Sequence, residues 1–249
     1  MSSPSIQPSP PPIVGRALLV SSDSAAVRQL ITYLQQFAII SEVCADLATA
    51  TTLINTRKFE AIFLDLALGE QVSRVLERIR LSPANRNSVT FALADPTTPA
   101  DYRVQLNFAI QKPLTGTLVK STLRAALGLI IRDYRRYFRC PVNVPVVIHI
   151  DGRAKIPCAM VNISEGGLAF TTLVTLKPGA LVKAEFALPD ERTAFDIDSE
   201  VCWCDNKGRA GLQFRSVSAA QRLLLQEWLS QRIERGLPEP VARLFQRSQ

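Results

Sequence analysis

Histidine is nearly absent from this chain. Of 249 residues only His149 carries an imidazole, and it sits in an alternating apolar stretch that suits a structural role. Cysteine is sparse and odd in number: Cys44, Cys140, Cys158, Cys202 and Cys204. Cys202 and Cys204 should share one face of a strand, but without a second close pair or more histidine a zinc site is disfavoured. Free, buried thiols in a reducing compartment are expected. Long apolar runs are missing too. The stretch 125–131 is interrupted by Gly128 and is far too short to span a bilayer. Residues 1–16, rich in serine and proline, lack the apolar segment of a secretion signal and read as a disordered leader. No G-x-S-x-G, Walker or paired-carboxylate pattern occurs, which argues against catalysis. The expectation is a cytoplasmic, non-enzymatic protein without membrane insertion.

What is present suits two globular domains. The hydrophobic content is 47%, enough for two ordinary cores. The net charge of +7 is partly concentrated, because Arg132, Arg135, Arg136 and Arg139 fall within eight residues. Such a knot favours an anionic partner, whether nucleotide, nucleic acid or membrane surface.

Over residues 17–131 short apolar runs alternate with amphipathic ones. Strands are expected at 17–20, 39–44, 61–66, 89–94 and 108–111, and helices at 24–37, 47–57, 72–79, 100–106 and 117–131. Ser24 is placed to cap the first helix, and Pro83 to stop the third. Five strand–helix alternations argue for a parallel sheet covered on both faces.

After Arg139 the grammar changes. Strand-like runs occur at 144–150, 156–162, 168–172, 181–188, 195–204 and 210–214. Turn signals separate them: Asp151-Gly152, Gly166-Gly167, Pro178-Gly179, Pro189-Asp190 and Asn206-Lys207-Gly208. This spacing predicts a small antiparallel barrel. A helix at 219–235 closes it, with Leu223, Leu224, Trp228, Leu229 and Ile233 as its packing face.

Two pieces of this second half carry chemistry. Arg135 and Arg139 lie four apart, and arginine offers a planar fork that matches two phosphate oxygens or the O6/N7 edge of guanine. Asn162-Ile163-Ser164-Glu165-Gly166-Gly167 lies between two strands, where Asn and Ser can both fix a turn and face a ligand. Gly166 and Gly167 are expected to permit positive φ and close approach by a bulky ring. Singly, each piece is ordinary. An isolated arginine pair is usually a solvated linker.

In this order and separation, the pair and the Asn-x-Ser-x-x-Gly turn resemble the PilZ family of cyclic di-GMP receptors. Gly211-Leu212-Gln213-Phe214 and the closing helix extend the resemblance over residues 134–235. The resemblance implies a six-stranded barrel with the arginine segment wrapped over the ligand. It also implies that Arg135 and Arg139 engage phosphate and guanine, and that Asn162 and Ser164 contact guanine and phosphate. Gly167 would keep the surface clear, and Arg136 would contribute from inside the motif. Enzymes that make or break this dinucleotide need acidic metal-binding motifs, which are not found.

Residues 17–131 resemble a response-regulator receiver domain through the alternating pattern, Asp65 at the end of the third strand, and Lys112-Pro113 after the fifth. The acidic pair that would hold Mg²⁺ is replaced by Ser21 and Ser22. Neutral hydroxyls are poor ligands for this hard cation. Asp23, one residue on, should point elsewhere. The switch hydroxyl is also missing from Phe91-Ala92-Leu93-Ala94. Asp65 is therefore either a phosphoacceptor or a vestigial carboxylate paired with Lys112, and the missing ligands favour the second.

The resulting expectation is a leader (1–16), a degenerate receiver-like α/β domain (17–131), a PilZ-like barrel (132–236) and a basic tail (237–249). The function implied is a non-catalytic cyclic di-GMP effector with no cofactor. Ligand capture would order residues 132–139 and change the domain arrangement or the binding of an unidentified protein partner. The alternatives are a phosphorylation-regulated response regulator with a PilZ-like output, or a nucleic-acid-binding module. The last is disfavoured because exposed stacking aromatics are few beyond Trp203.

Overall fold

A computed structural model describes residues 13–69, 72–96, 106–150, 154–191, 193–237 and 241. Residues 1–12 of the expected leader, the 100–106 helix except Leu106, the Asp151-Gly152 turn and most of the basic tail lie outside these residues, while Gly15 and Arg16, assigned to the leader from sequence, already belong to the first strand. The chain divides into two compact units: Met1–Tyr134 with Ile233–Gln249, and Arg135–Arg232.

The first unit is built on strands β1 (Gly15–Val20), β2 (Ile39–Cys44), β3 (Ala61–Asp65), β4 (Val89–Ala94) and β5 (Phe108–Gln111). They pair in the order β2-β1-β3-β4-β5, and every pairing is parallel. All residues of β3 and β4 are buried, as expected for a sheet covered on both faces. Phe63 and Phe91 stack across these strands with ring centroids 4.2 Å apart. The helices are α1 (Ser24–Gln36), α2 (Leu47–Thr56), α3 (Val72–Leu81) and α4 (Gly116–Tyr137).

Two local expectations are corrected. Asp23, not Ser24, caps α1, since Asp23 Oδ1 accepts from the backbone N–H groups of Ala25 and Ala26 at 3.0 Å. Helix α4 continues six residues beyond 131, to Tyr137. Arg132, Arg135 and Arg136 are therefore already helical, and only Phe138 and Arg139 separate this helix from the next strand.

A polar device also escaped the sequence reading. Asn85 is fully buried. Its Oδ1 accepts from Phe59 N–H at 2.8 Å, and its Nδ2 donates to the carbonyls of Ile54 and Arg57, each at 2.8 Å. One side chain thus satisfies three backbone groups where α2 turns toward β3.

The second unit contains β6 (Cys140–Ile150), β7 (Ala154–Ser164), β8 (Gly167–Thr171), β9 (Leu181–Ala187), β10 (Ala194–Cys204) and β11 (Arg209–Ser216), followed by α5 (Ala219–Arg235). These strands close a barrel in the order β10-β11-β8-β7-β6-β9. Its interior is filled by alternate residues, among them Ile148, Met160, Phe170, Phe186, Phe195, Val201 and Leu212. Phe186 and Phe195 stack at 5.1 Å. Helix α5 packs Leu225, Trp228 and Leu229 onto this core, and Trp228 Nε1 donates to Pro189 O at 2.9 Å. Leu225 takes the buried place expected of Leu223, which is 58% exposed.

Of the register shifts in the barrel, two bear on the site. In β7 the register slips between Met160 and Asn162, leaving Val161 as an extra residue. In β10 it slips between Val201 and Trp203, leaving Cys202 extra. Such bulges redirect the side chains that follow. Cys202 consequently faces outward while Cys204 packs against the core, so the two thiols do not share a face.

Candidate functional site

The bulges shape one outer face of the barrel. Asn162 pairs with Ala169, Ala169 with Gly211, and Gly211 with Trp203. The next row runs Ser164, Gly167, Gln213 and Glu200. Ala169 and Gly211 in the first row and Gly167 in the second are small and leave a shallow floor. Above it lies a cavity of about 560 Å³, lined by Arg136, Tyr137, Arg139, Asn162, Ser164, Gly166 and Gly167, together with Trp203, Gln213 and their neighbours.

The structure therefore brings Arg136, Arg139, Asn162, Ser164 and Gly167 around one opening. Arg135 is different: it sits half-buried in the last turn of α4 and is not among the lining residues. Arg136 and Arg139 are exposed, and among the described residues neither meets a carboxylate. The amide of Asn162 likewise has no hydrogen-bond partner among the described residues. Ser164 Oγ donates to Gly167 O at 3.0 Å, so its proton is already engaged in closing the β7–β8 turn. Gly166 O accepts from Phe214 N–H at 2.9 Å and fixes that turn on β11.

The two glycines do not act as expected from sequence. Neither has positive φ. A Cβ on Gly167 would lie 2.0 Å from Leu212 O, so the neighbouring strand by itself demands this glycine. A Cβ on Gly166 would meet nothing within 4 Å. Trp203 and Gln213 were not read as site residues, because their direction depends on the Cys202 bulge and on barrel register.

In the first unit Ser21 and Asp65 follow β1 and end β3, adjacent parallel strands at the point where the strand order reverses, the usual ligand crevice of such sheets. Asp65 is buried, and its Oδ2 accepts from Ser21 Oγ at 2.6 Å and from Lys112 Nζ at 2.7 Å. Asp23 Oδ2 lies 3.7 Å from Lys112 Nζ, so the capping carboxylate also turns toward the pair. Burial alone would lower the Lys112 pKa, but the hydrogen bond and charge of Asp65, with Asp95 and Asp23, raise it above the ordinary lysine value. A Mg²⁺ ion does not fit this donor set. The one buried carboxylate is neutralised by an ammonium, and its neighbour is a hydroxyl already bonded to it.

His149 Nε2 lies 2.9 Å from Glu185 Oε2 on the neighbouring strand, an outer-surface pair remote in register from the cavity rows. Among the described residues no group of three or more His, Cys, Asp or Glu is placed to hold a metal ion. Among the same residues no helix is long and apolar enough to cross a membrane.

Residues 133–231 match the family described as PilZ domain. Among solved structures, the chain is similar to the Bacillus subtilis inhibitor of motility MotI/DgrA, at 21% identity over 38% of this chain and 48% of that one, TM-score 0.32. The chain thus spans about half the length of that protein. It is similar to the PilZ domain of CeSA from a cellulose-synthesizing bacterium, at 18% identity over 38% and 96% of the two chains, TM-score 0.32. It is also similar to the receiver domain of a sensor histidine kinase from Pseudomonas aeruginosa PAO1, at 20% identity over 46% and 98%, TM-score 0.41. No curated protein matches the chain.

Proposed function

We propose, from the premise that residues 133–231 are a PilZ domain, that this protein is a non-catalytic effector that binds cyclic di-GMP on the outer face of its barrel. The observation that carries the reading is the convergence of two guanidinium groups, Arg136 and Arg139, with Asn162 and Ser164 around one 560 Å³ cavity. Guanidinium forks suit the phosphates and the guanine O6/N7 edge, and the Asn162 amide can pair with a base edge. Arg135 joins the site by turning from the last turn of α4. Glycine at 167 lets β8 and β11 approach closely enough to form the floor.

Titration calorimetry with cyclic di-GMP tests the proposal. Each charge-assisted hydrogen bond contributes roughly 1.5–3 kcal/mol, so Arg135→Ala/Arg139→Ala should weaken binding about 10²- to 10⁴-fold. Unchanged affinity in that variant would end the reading. Steeply salt-dependent binding of DNA or RNA, without preference for the dinucleotide, would favour the nucleic-acid alternative.

The output is proposed to be a change in domain arrangement or in binding to a protein partner, the receiver-like unit being the docking platform. The motivation is that Arg135 and Arg136 belong to α4, the same helix that begins at Gly116 in the first unit. Because residues 132–137 are already helical, ligand-induced ordering is confined to Phe138 and Arg139. Identical scattering profiles with and without ligand would count against this coupling.

A further inference from the structure

We infer that the Lys58–Asp133 ion pair positions the ligand-binding arginines by holding the end of α4 from which Arg135 and Arg136 project, an inference that rests on the ligand reading above. Asp133 is only 3% exposed and is the last buried residue of α4. After it Tyr134 and Arg135 are half-buried, and Arg136 and Tyr137 are exposed. Arg135 and Arg136 follow Asp133 by about 3 and 4.5 Å along the helix axis. Whatever fixes Asp133 therefore sets where both guanidinium stems begin. Left to itself, the last turn of a helix lacks backbone partners for its carbonyls and opens readily.

The anchor is a charge, and it depends on one cation. Asp133 Oδ2 pairs with Lys58 Nζ, while Oδ1, also buried, has no hydrogen-bond partner among the described residues. Lys58 is itself held at the sheet. Its Nζ donates to Phe59 O at 2.9 Å and to Ser88 Oγ at 3.4 Å, just ahead of β3 and β4. Glu60 lies buried close by. Burial raises its carboxyl above the ordinary range, the Arg16 N–H and Lys58 oppose the rise, and Asp133 adds to it. Without the ammonium, two buried carboxylates would repel each other at the root of the last turn. Neither Lys58 nor Asp133 lines the cavity, so their effect on binding travels through α4. A segment already set in its bound geometry incurs a smaller ordering cost when the ligand arrives.

Calorimetric titration of cyclic di-GMP into wild type and three variants tests the role, at a temperature where circular dichroism shows each one folded. Lys58→Met strands the buried carboxylate and should weaken binding roughly 5- to 150-fold. Lys58→Met/Asp133→Leu replaces the pair by apolar groups of similar volume, which buried ion pairs tolerate, and should recover most of the affinity. Val75→Ala separates positioning from overall stability. Val75 belongs to a core cluster without α4 residues, so this variant should melt earlier yet bind as wild type does. Hydrogen exchange without ligand reads the helix end directly: amides of residues 134–137 should exchange faster in Lys58→Met. If Lys58→Met binds as tightly as wild type, or if Val75→Ala loses as much affinity, the positioning role is wrong and the ligand reading stands. Should Lys58→Met not fold, Asp133→Ala, which removes the anchor without stranding its charge, takes its place with the same two outcomes. If wild-type protein shows no heat with the dinucleotide, the ligand reading falls and takes this role with it.

Discussion

The hydroxyl of Ser21 donates a 2.6 Å hydrogen bond to Oδ2 of Asp65, the same oxygen that receives Lys112 Nζ. The first strand thus supplies Asp65 with a proton donor at the place where a metal-binding carboxylate would be needed. Incubation with acetyl phosphate and Mg²⁺ should leave Asp65 unlabelled, with intact-mass spectra matching those of Asp65→Ala. A phosphate adduct present in wild type and lost in Asp65→Ala would restore the phosphorylation-regulated alternative.

Asn85 satisfies Phe59 N–H and the carbonyls of Ile54 and Arg57 from a fully buried position. Asn85→Ala strands all three. Each buried unsatisfied group costs about 1–3 kcal/mol, so urea denaturation should report a loss of roughly 3 kcal/mol or more. A loss below 1 kcal/mol, within the range of an ordinary surface change, would mean that water takes over the three groups.

The glycines of the β7–β8 turn should behave oppositely. Gly167→Ala places a methyl 2.0 Å from Leu212 O in the backbone of β11. It should lower stability by roughly 1–3 kcal/mol, as overpacking does. Gly166→Ala meets open space and should stay within about 0.5 kcal/mol of wild type. Thermal melts of the pair, run side by side, check the contrast.

Asp23 caps α1, and the backbone N–H of Ala26, then that of Ala25, and the charge of Lys112 hold its carboxyl below the usual 3.8. The unfolded chain therefore binds this proton more readily than the folded one. The contribution to stability is present above pH 3.8 and is lost as pH falls through the lower folded value. Asp23→Asn keeps the cap and should remove this acid dependence. Asp23→Ala should lose about 1 kcal/mol at neutral pH by denaturant titration.

Much of this fold was legible because local pattern and tertiary role agreed. The α5 boundaries at Ala219 and Arg235 match the periodicity, and all five strands of the first unit match to within two residues at either end. The exceptions have physical causes. Helix α4 was expected to stop at 131 because Arg132-Asp133-Tyr134-Arg135 carries little apolar signal, yet Asp133 is buried and paired with Lys58. That ion pair joins residues 75 apart in sequence, and no local pattern shows it. The site was half legible. Arg139, Asn162 and Ser164, which the family resemblance implies, do line one cavity, whereas Trp203 and Gln213 become visible only with the barrel register. Gly167 was named for the ligand, but its closest constraint is Leu212.

The additional residues Val161 and Cys202 have a consequence for anyone trimming or grafting this barrel. Side-chain direction along a strand is a matter of odd and even, and each insertion changes the count once. Excising Cys202 alone would make Val201, Trp203 and Cys204 consecutive and keep the indole outward, whereas ironing the bulge flat with Cys202 retained would send the indole inward and the thiol of Cys204 out to solvent. The contact surface is thus encoded in the parity of two strands as much as in the identity of its residues.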